Sequence, residues 1–223
     1  MQSDSAVMHR MAFTFLMTLL GTVLSLAQPP VSTENRYDVL PAHPGAILFV
    51  GDSITDDCEW NELFDNPDIL NRGIDGNHSA SVLSRVHELT RHQATKLFLA
   101  VGTNDLPWNT VDQVMANVES FCDILAEESP GTKIYIQSVL PVGPRPMFMD
   151  MGDSDEKNRL IVALNERYRL FCEERGYTYI DNHSLFLSED GKGLDPVWGS
   201  DDLHLKGSAY LVWKKNVEAF VNE

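Results

Sequence analysis

Four short stretches of this chain bring together a hydroxyl, amide donors, an imidazole and carboxylates. Gly51-Asp52-Ser53-Ile54-Thr55 places a serine directly after an apolar run, where a turn into a helix can expose its hydroxyl. It is not the G-x-S-x-G elbow, because Thr55 stands where the second glycine would be. Asp, Ser and Thr also cap helix starts well, so nucleophile and cap are even readings of Ser53. Asn71-Arg72-Gly73-Ile74-Asp75-Gly76-Asn77 has two glycines three apart. They permit positive φ and leave backbone N–H groups able to face a ligand, although a tight turn explains them as simply. In Gly102-Thr103-Asn104-Asp105 the Asn104 amide can donate to a developing oxyanion, or Asn-Asp can be ordinary turn chemistry. Asp201-Asp202-Leu203-His204 sets a carboxylate three residues before an imidazole, a spacing that can fix its tautomer. Asp202 is an alternative orienting group.

The elements that must carry these stretches follow from hydropathy patterning. Ala46–Val50, Ile69–Asn71, Lys96–Val101, Lys133–Ser138 and Tyr177–Ile180 are short apolar runs of the kind that form buried strands. Helical spacing runs over Asp57–Phe64, Ser79–Leu89, Val111–Glu128, Asp155–Arg175 and Lys206–Val221. Strands alternating with helices predict an α/β domain over 46–223, a three-layer α/β/α sandwich with a mainly parallel central sheet. In such sheets ligands bind beyond the carboxyl ends of the strands, and three of the four stretches follow a predicted strand.

The formal net charge of −16 excludes the basic footprint that nucleic acid requires and disfavours anionic membrane surfaces. Three cysteines, Cys58, Cys122 and Cys172, show no zinc spacing and are too few for a disulfide framework, although one pair could form after export. Met11–Ala27 is the one long apolar run, preceded by His9 and Arg10 and closed by Ser25-x-Ala27. It predicts a signal peptide over 1–27, with translation starting at Met1, Met8 or Met11, and an exported, periplasmic or extracellular protein. Residues 28–45, with Pro29, Pro30, Pro41 and Pro44, read as a linker or N-terminal arm.

Together, in this order, GDSI (51–54), RGIDGN (72–77), GTND (102–105) and DDLH (201–204) resemble the SGNH hydrolases, or GDSL-type esterases and lipases, over roughly residues 46–222. The spacing is similar to the branch with platelet-activating-factor acetylhydrolase-like and carbohydrate acetylesterase-like members. The resemblance implies a flavodoxin-like sandwich, a serine esterase acting through an acyl-enzyme, and no metal or organic cofactor. It implies Ser53 as nucleophile, His204 as base and Asp201 as orienting acid, with an oxyanion hole of the Ser53 N–H, the Gly76 N–H and the Asn104 amide. Asn77 stands where relatives commonly have Asp, and Ile54 where the name-giving motif has Leu.

Trp60, Asp105, Arg145 and Trp198 are candidate substrate contacts, as aromatic or polar groups near these motifs; Trp108 and His78 stand close by. The loop 139–154 offers Met147, Phe148, Met149 and Met151 as an adaptable apolar surface. The expected substrate is a short-chain acyl ester, an acetyl ester of carbohydrate, with lipid or thioester hydrolysis or non-catalytic carbohydrate binding as alternatives. A homodimer is an open expectation. A second Gly-Asp-Ser, at 152–154, has no strand before it, so Ser154 reads as a helix cap.

Overall fold

Short runs, the central ones rich in Ile, Leu, Val and Phe on both faces, form five parallel strands in a computed structural model that describes residues 35–106, 108–144 and 154–223. They are β1 (Ile47–Gly51), β2 (Ile69–Gly73), β3 (Lys96–Ala100), β4 (Lys133–Gln137) and β5 (Thr178–Ile180), ordered β2-β1-β3-β4-β5. The eight helices among the described residues are α1 (Ser53–Asp56), α2 (Trp60–Phe64), α3 (Ser79–Ser84), α4 (Val86–Thr90), α5 (Val111–Glu128), α6 (Ser154–Arg175), α7 (His183–Phe186) and α8 (Gly207–Asn222).

Period-two alternation sends side chains of each strand to two separate cores. Leu48, Val50, Leu97, Leu99, Ile134 and Ile136 meet Val118 and Phe121 of α5 and Ile161 and Leu164 of α6. Ile47, Phe49, Phe98 and Tyr135 meet Trp60 of α2, Phe186 of α7 and Trp213 and Val217 of α8. The result is the expected three-layer sandwich, with both faces of the parallel sheet covered. The chain leaves β1 toward one face and β3 toward the other, so the topological switch point lies at the carboxyl ends of β1 and β3.

The helical pattern over 79–89 resolves into two helices. They break at Arg85 (φ −110°, ψ 17°), whose guanidinium is drawn inward to the Arg72 carbonyl at 2.7 Å. The first helix begins at Ser53 rather than Asp57, and α7 is too short to leave a periodic signal. In the expected N-terminal arm, Tyr37 is buried, donates its hydroxyl to the Gly73 carbonyl at 2.8 Å and lies under the Arg72 guanidinium. The expected signal segment, residues 28–34, Arg145 and the Met/Phe stretch lie outside the described residues. No helix among the described residues is long and apolar enough to cross a membrane.

Trp60 requires a correction. It is fully buried rather than facing a ligand, stacked on Phe49 at 4.4 Å and edge-on to Trp213 at 5.3 Å. Its indole N–H donates to the Thr55 carbonyl at 2.8 Å, so the ring braces α1 from below. Trp60→Ala should therefore cost about 3–5 kcal/mol of stability in urea unfolding, as truncation of a buried aromatic does. A raised KM with unchanged stability would contradict this placement.

Candidate active site

Ser53 is the first residue of α1, immediately beyond β1. The capping role belongs to its neighbour: Asp52 is extended, and its Oδ1 accepts from the Ile54 N–H at 3.0 Å. That leaves the Ser53 hydroxyl for other partners, and its Oγ lies 2.9 Å from His204 Nε2. Asp52 is buried beneath the site, and burial pushes its carboxyl up to about 7 against the pull of the Ile54 N–H and His204. Tyr210 of α8 donates to the Ile54 carbonyl at 2.9 Å and Asn71 reaches the Thr55 carbonyl at 3.0 Å, so α1 is held from two sides.

Residues 199–205 close on themselves in a loop rather than a helical turn. Gly199 and Leu205 form an antiparallel bridge, and the Ser200 N–H donates to the His204 carbonyl at 2.8 Å. Within it, Asp201 Oδ1 accepts from the His204 N–H at 2.6 Å and the Leu203 N–H at 3.1 Å. Its Oδ2 lies 2.7 Å from His204 Nδ1. Burial alone would raise the Asp201 carboxyl, but these hydrogen bonds outweigh it and hold the group below the usual carboxylate range. With Nδ1–H directed at the carboxylate, His204 Nε2 is left as acceptor toward the Ser53 hydroxyl. Asp202 takes positive φ (66°), and its carboxyl packs on Gly143, where a Cβ would meet Asp202 Oδ1 at 2.5 Å. Of the two adjacent carboxylates, Asp201 is the one on the imidazole.

The turn after β2 contains Gly76 at φ 71°, a conformation that favours glycine. The turn after β3 carries Asn104, whose Nδ2 donates to the Asn77 carbonyl at 3.0 Å. The two predicted oxyanion-donor turns are thus joined directly. Asp105 is a second correction. It is fully buried, accepting from the Ser79 N–H at 2.8 Å and the Ser79 hydroxyl at 2.5 Å, and so pins α3 to the β3 turn instead of meeting substrate.

Trp198 is half-buried and edge-on to Phe186, its carbonyl accepting from the Lys206 N–H at 2.7 Å. Trp108 is 68% exposed just before α5. His78 serves as N-cap of α3, accepting from the Ser81 N–H at 3.2 Å. Cys58, Cys122 and Cys172 are free and buried, and burial pushes the Cys58 and Cys172 thiols up to about 12. Sequence reasoning missed Arg85, a buried cation that reaches Asn77 in the β2 turn. A signal existed, since Arg85 interrupts the apolar stripe of Val82, Val86 and Leu89.

The GDSL-like Lipase/Acylhydrolase family matches residues 49–212, spanning all four motifs. Among curated proteins, the alpha2 subunit of human platelet-activating factor acetylhydrolase IB is 28% identical over 194 residues, 81% of this chain and 78% of the relative. Among solved structures, a GDSL-like lipase from Bacteroides thetaiotaomicron superposes with a TM-score of 0.70 at 20% identity, covering 79% of this chain and 87% of the other. A catalytic mutant of an acetylxylan esterase from Geobacillus stearothermophilus gives 0.63 at 16% identity, covering 82% and 96%. Those two structures share the fold. The family match extends over most of the chain, and the chain belongs to the GDSL-like lipase/acylhydrolase family of carboxylic ester hydrolases.

Proposed function

We propose that this esterase removes acetyl groups from carbohydrate esters, with Ser53 as nucleophile, His204 as general base and then acid, and Asp201 as orienting carboxylate. The observation that carries the reading is the unbroken line from Asp201 Oδ2 to His204 Nδ1 (2.7 Å) and from His204 Nε2 to Ser53 Oγ (2.9 Å). A serine hydroxyl is a poor nucleophile until a base takes its proton, and this line provides the base in one tautomer.

Ser53 Oγ attacks the ester carbonyl carbon while its proton passes to His204 Nε2. Asp201 remains ionised and stabilises the imidazolium. The carbonyl oxygen becomes an oxyanion for which the Ser53 N–H, the Gly76 N–H and the Asn104 amide are the donors of this reading, each worth roughly 3 kcal/mol in the transition state. Collapse breaks the bond to the sugar oxygen, which leaves with the His204 proton, and acetyl-Ser53 remains. Water, deprotonated by His204, attacks that ester; the bond to Ser53 Oγ breaks, His204 returns the proton to Oγ, and acetate leaves.

The acetyl group is supported by two relatives of different substrate, an acetylhydrolase and an acetylxylan esterase by name. For the leaving group, the exposed indole of Trp108 suits stacking on a sugar ring. Export by way of the segment ending at Ala27 is part of the same proposal, since it brings the enzyme to sugars outside the cytoplasm. A phospholipid leaving group is the second reading, favoured by the 28% identity to platelet-activating factor acetylhydrolase.

Ser53→Ala and His204→Ala should each lower kcat on p-nitrophenyl acetate by on the order of 10⁴-fold or more while leaving the thermal midpoint in place. Asp201→Asn should lose heavily through the wrong tautomer, and Asp202→Asn far less; the reverse order would reassign the orienting acid. Turnover of acetylated xylo-oligosaccharide above that of an acetyl phospholipid supports the sugar; the opposite preference supports the lipid.

A further inference from the structure

Arg85 has side-chain exposure of only 4%, at the break between α3 and α4, and touches none of Ser53, His204 or Asp201 in the hydrogen bonds described above. Its contacts nonetheless converge on the loops that would carry the oxyanion donors. Nε donates to Asn77 Oδ1 at 3.0 Å, and Asn77 directly follows Gly76. Nη2 donates to the Arg72 carbonyl at 2.7 Å, near the end of β2, and lies 3.4 Å from the Gly51 carbonyl, two residues before Ser53. The Asn77 carbonyl in turn accepts from the Asn104 amide at 3.0 Å. One guanidinium therefore ties together the ends of β1 and β2 and the loop after β2, and through Asn77 the loop after β3.

We propose that Arg85, acting through Asn77, is the positioning residue that sets the spacing of the Ser53, Gly76 and Asn104 donors. The role rests on the oxyanion hole assigned under Proposed function and deepens it. Only arginine offers several N–H donors in a rigid fork able to meet acceptors on separate segments at once; a lysine ammonium has one nitrogen and cannot span them. The cation is supported from below by Glu88, whose Oε2 lies 3.9 Å from Arg85 Nη1 and whose Oε1 accepts from Arg72 Nε at 3.1 Å. Burial pushes the Arg85 guanidinium down to about 10, with Glu88 opposing, so it stays charged at neutral pH. Arg72, Arg91 and His92 also face Glu88, at 3.1, 3.6 and 3.3 Å.

Donors held in place before the reaction stabilise the transition state more than the ground state, so loosening them should lower kcat and spare KM. The test uses the full chain and p-nitrophenyl acetate, with Arg85→Lys, Asn77→Ala, Asn77→Asp, the Arg85→Lys/Asn77→Ala double variant and Ser53→Ala. Asn77→Ala removes the acceptor on the oxyanion side and leaves the Arg85–Arg72 carbonyl and Glu88 contacts, so it reports even if Arg85→Lys fails to fold. The expected result is a kcat loss of about tenfold or more in Asn77→Ala with KM within about twofold, recovered in part by Asn77→Asp, which keeps an acceptor oxygen. The double variant should lose no more than the worse single one, because both break one link. A kcat within about twofold of wild type in Asn77→Ala, or losses that simply multiply, would overturn the positioning role while a dead Ser53→Ala leaves the site reading intact. Activity surviving in Ser53→Ala would overturn both.

Discussion

The register of β1 against its two neighbours places Gly51 level with Gly73 on β2 and with Ala100 on β3. Because all three strands run the same way, their following loops leave the sheet at one height and on one edge. Ser53, Gly76 and Asn104 sit two, three and four residues beyond those level positions. A slip of two residues in either pairing would keep the apolar faces buried yet shift that loop by about 7 Å along the strand, further than a hydrogen bond can follow. Both faces of the sheet are covered, so a slip leaves large side chains buried but against neighbours they do not fit, and the packing of both cores fixes the register that the site needs.

His204, the proposed base, reaches this edge from the far end of the chain, 151 residues after Ser53. The 199–205 loop limits what tertiary packing has to order, because Asp201 satisfies both the His204 N–H and the imidazole by local bonds. The imidazole is thus oriented within the loop, and the loop is delivered as a unit. Gly143 receives it: the Gly143 N–H donates to the Asp202 carbonyl at 2.6 Å, and the absence of a Cβ there lets the Asp202 side chain approach. Arg85 bonds to the Gly51 and Arg72 carbonyls at the ends of β1 and β2 and to Asn77 in the turn after β2. Local closure orients the imidazole, and a buried cation bonds to those strand ends and to that turn.

What was legible in the sequence, and what was not, divides along physical lines. The central strands were readable because each is a short apolar run, and α5 was readable because a continuous apolar face runs along it, the Thr110–Gln113 capping box fixing its start. The functional stretches could be found because the parallel alternation says where strand ends must gather. Trp60 was misread because nearness in sequence to Ser53 says nothing about facing; the short turn after α1 points its ring into the aromatic core. Asp105 was misread because its partner Ser79 lies 26 residues away, and only the tertiary fold reveals a carboxylate satisfied by another loop. Arg85 was passed over because a cation within a helical stripe ordinarily lies on the solvent side, whereas here three carbonyl and amide oxygens and Glu88 make burial tolerable.

The central claim is that Ser53, activated by His204, forms the covalent intermediate. The most direct measurement is mass spectrometry of the full chain after acid quenching during p-nitrophenyl acetate turnover and, in parallel, after treatment with diethyl p-nitrophenyl phosphate. The account predicts one acetyl or one diethylphosphoryl group on the peptide containing Ser53, with loss of both in His204→Ala. A modification on any other residue, or sustained turnover with Ser53 fully blocked, would contradict it.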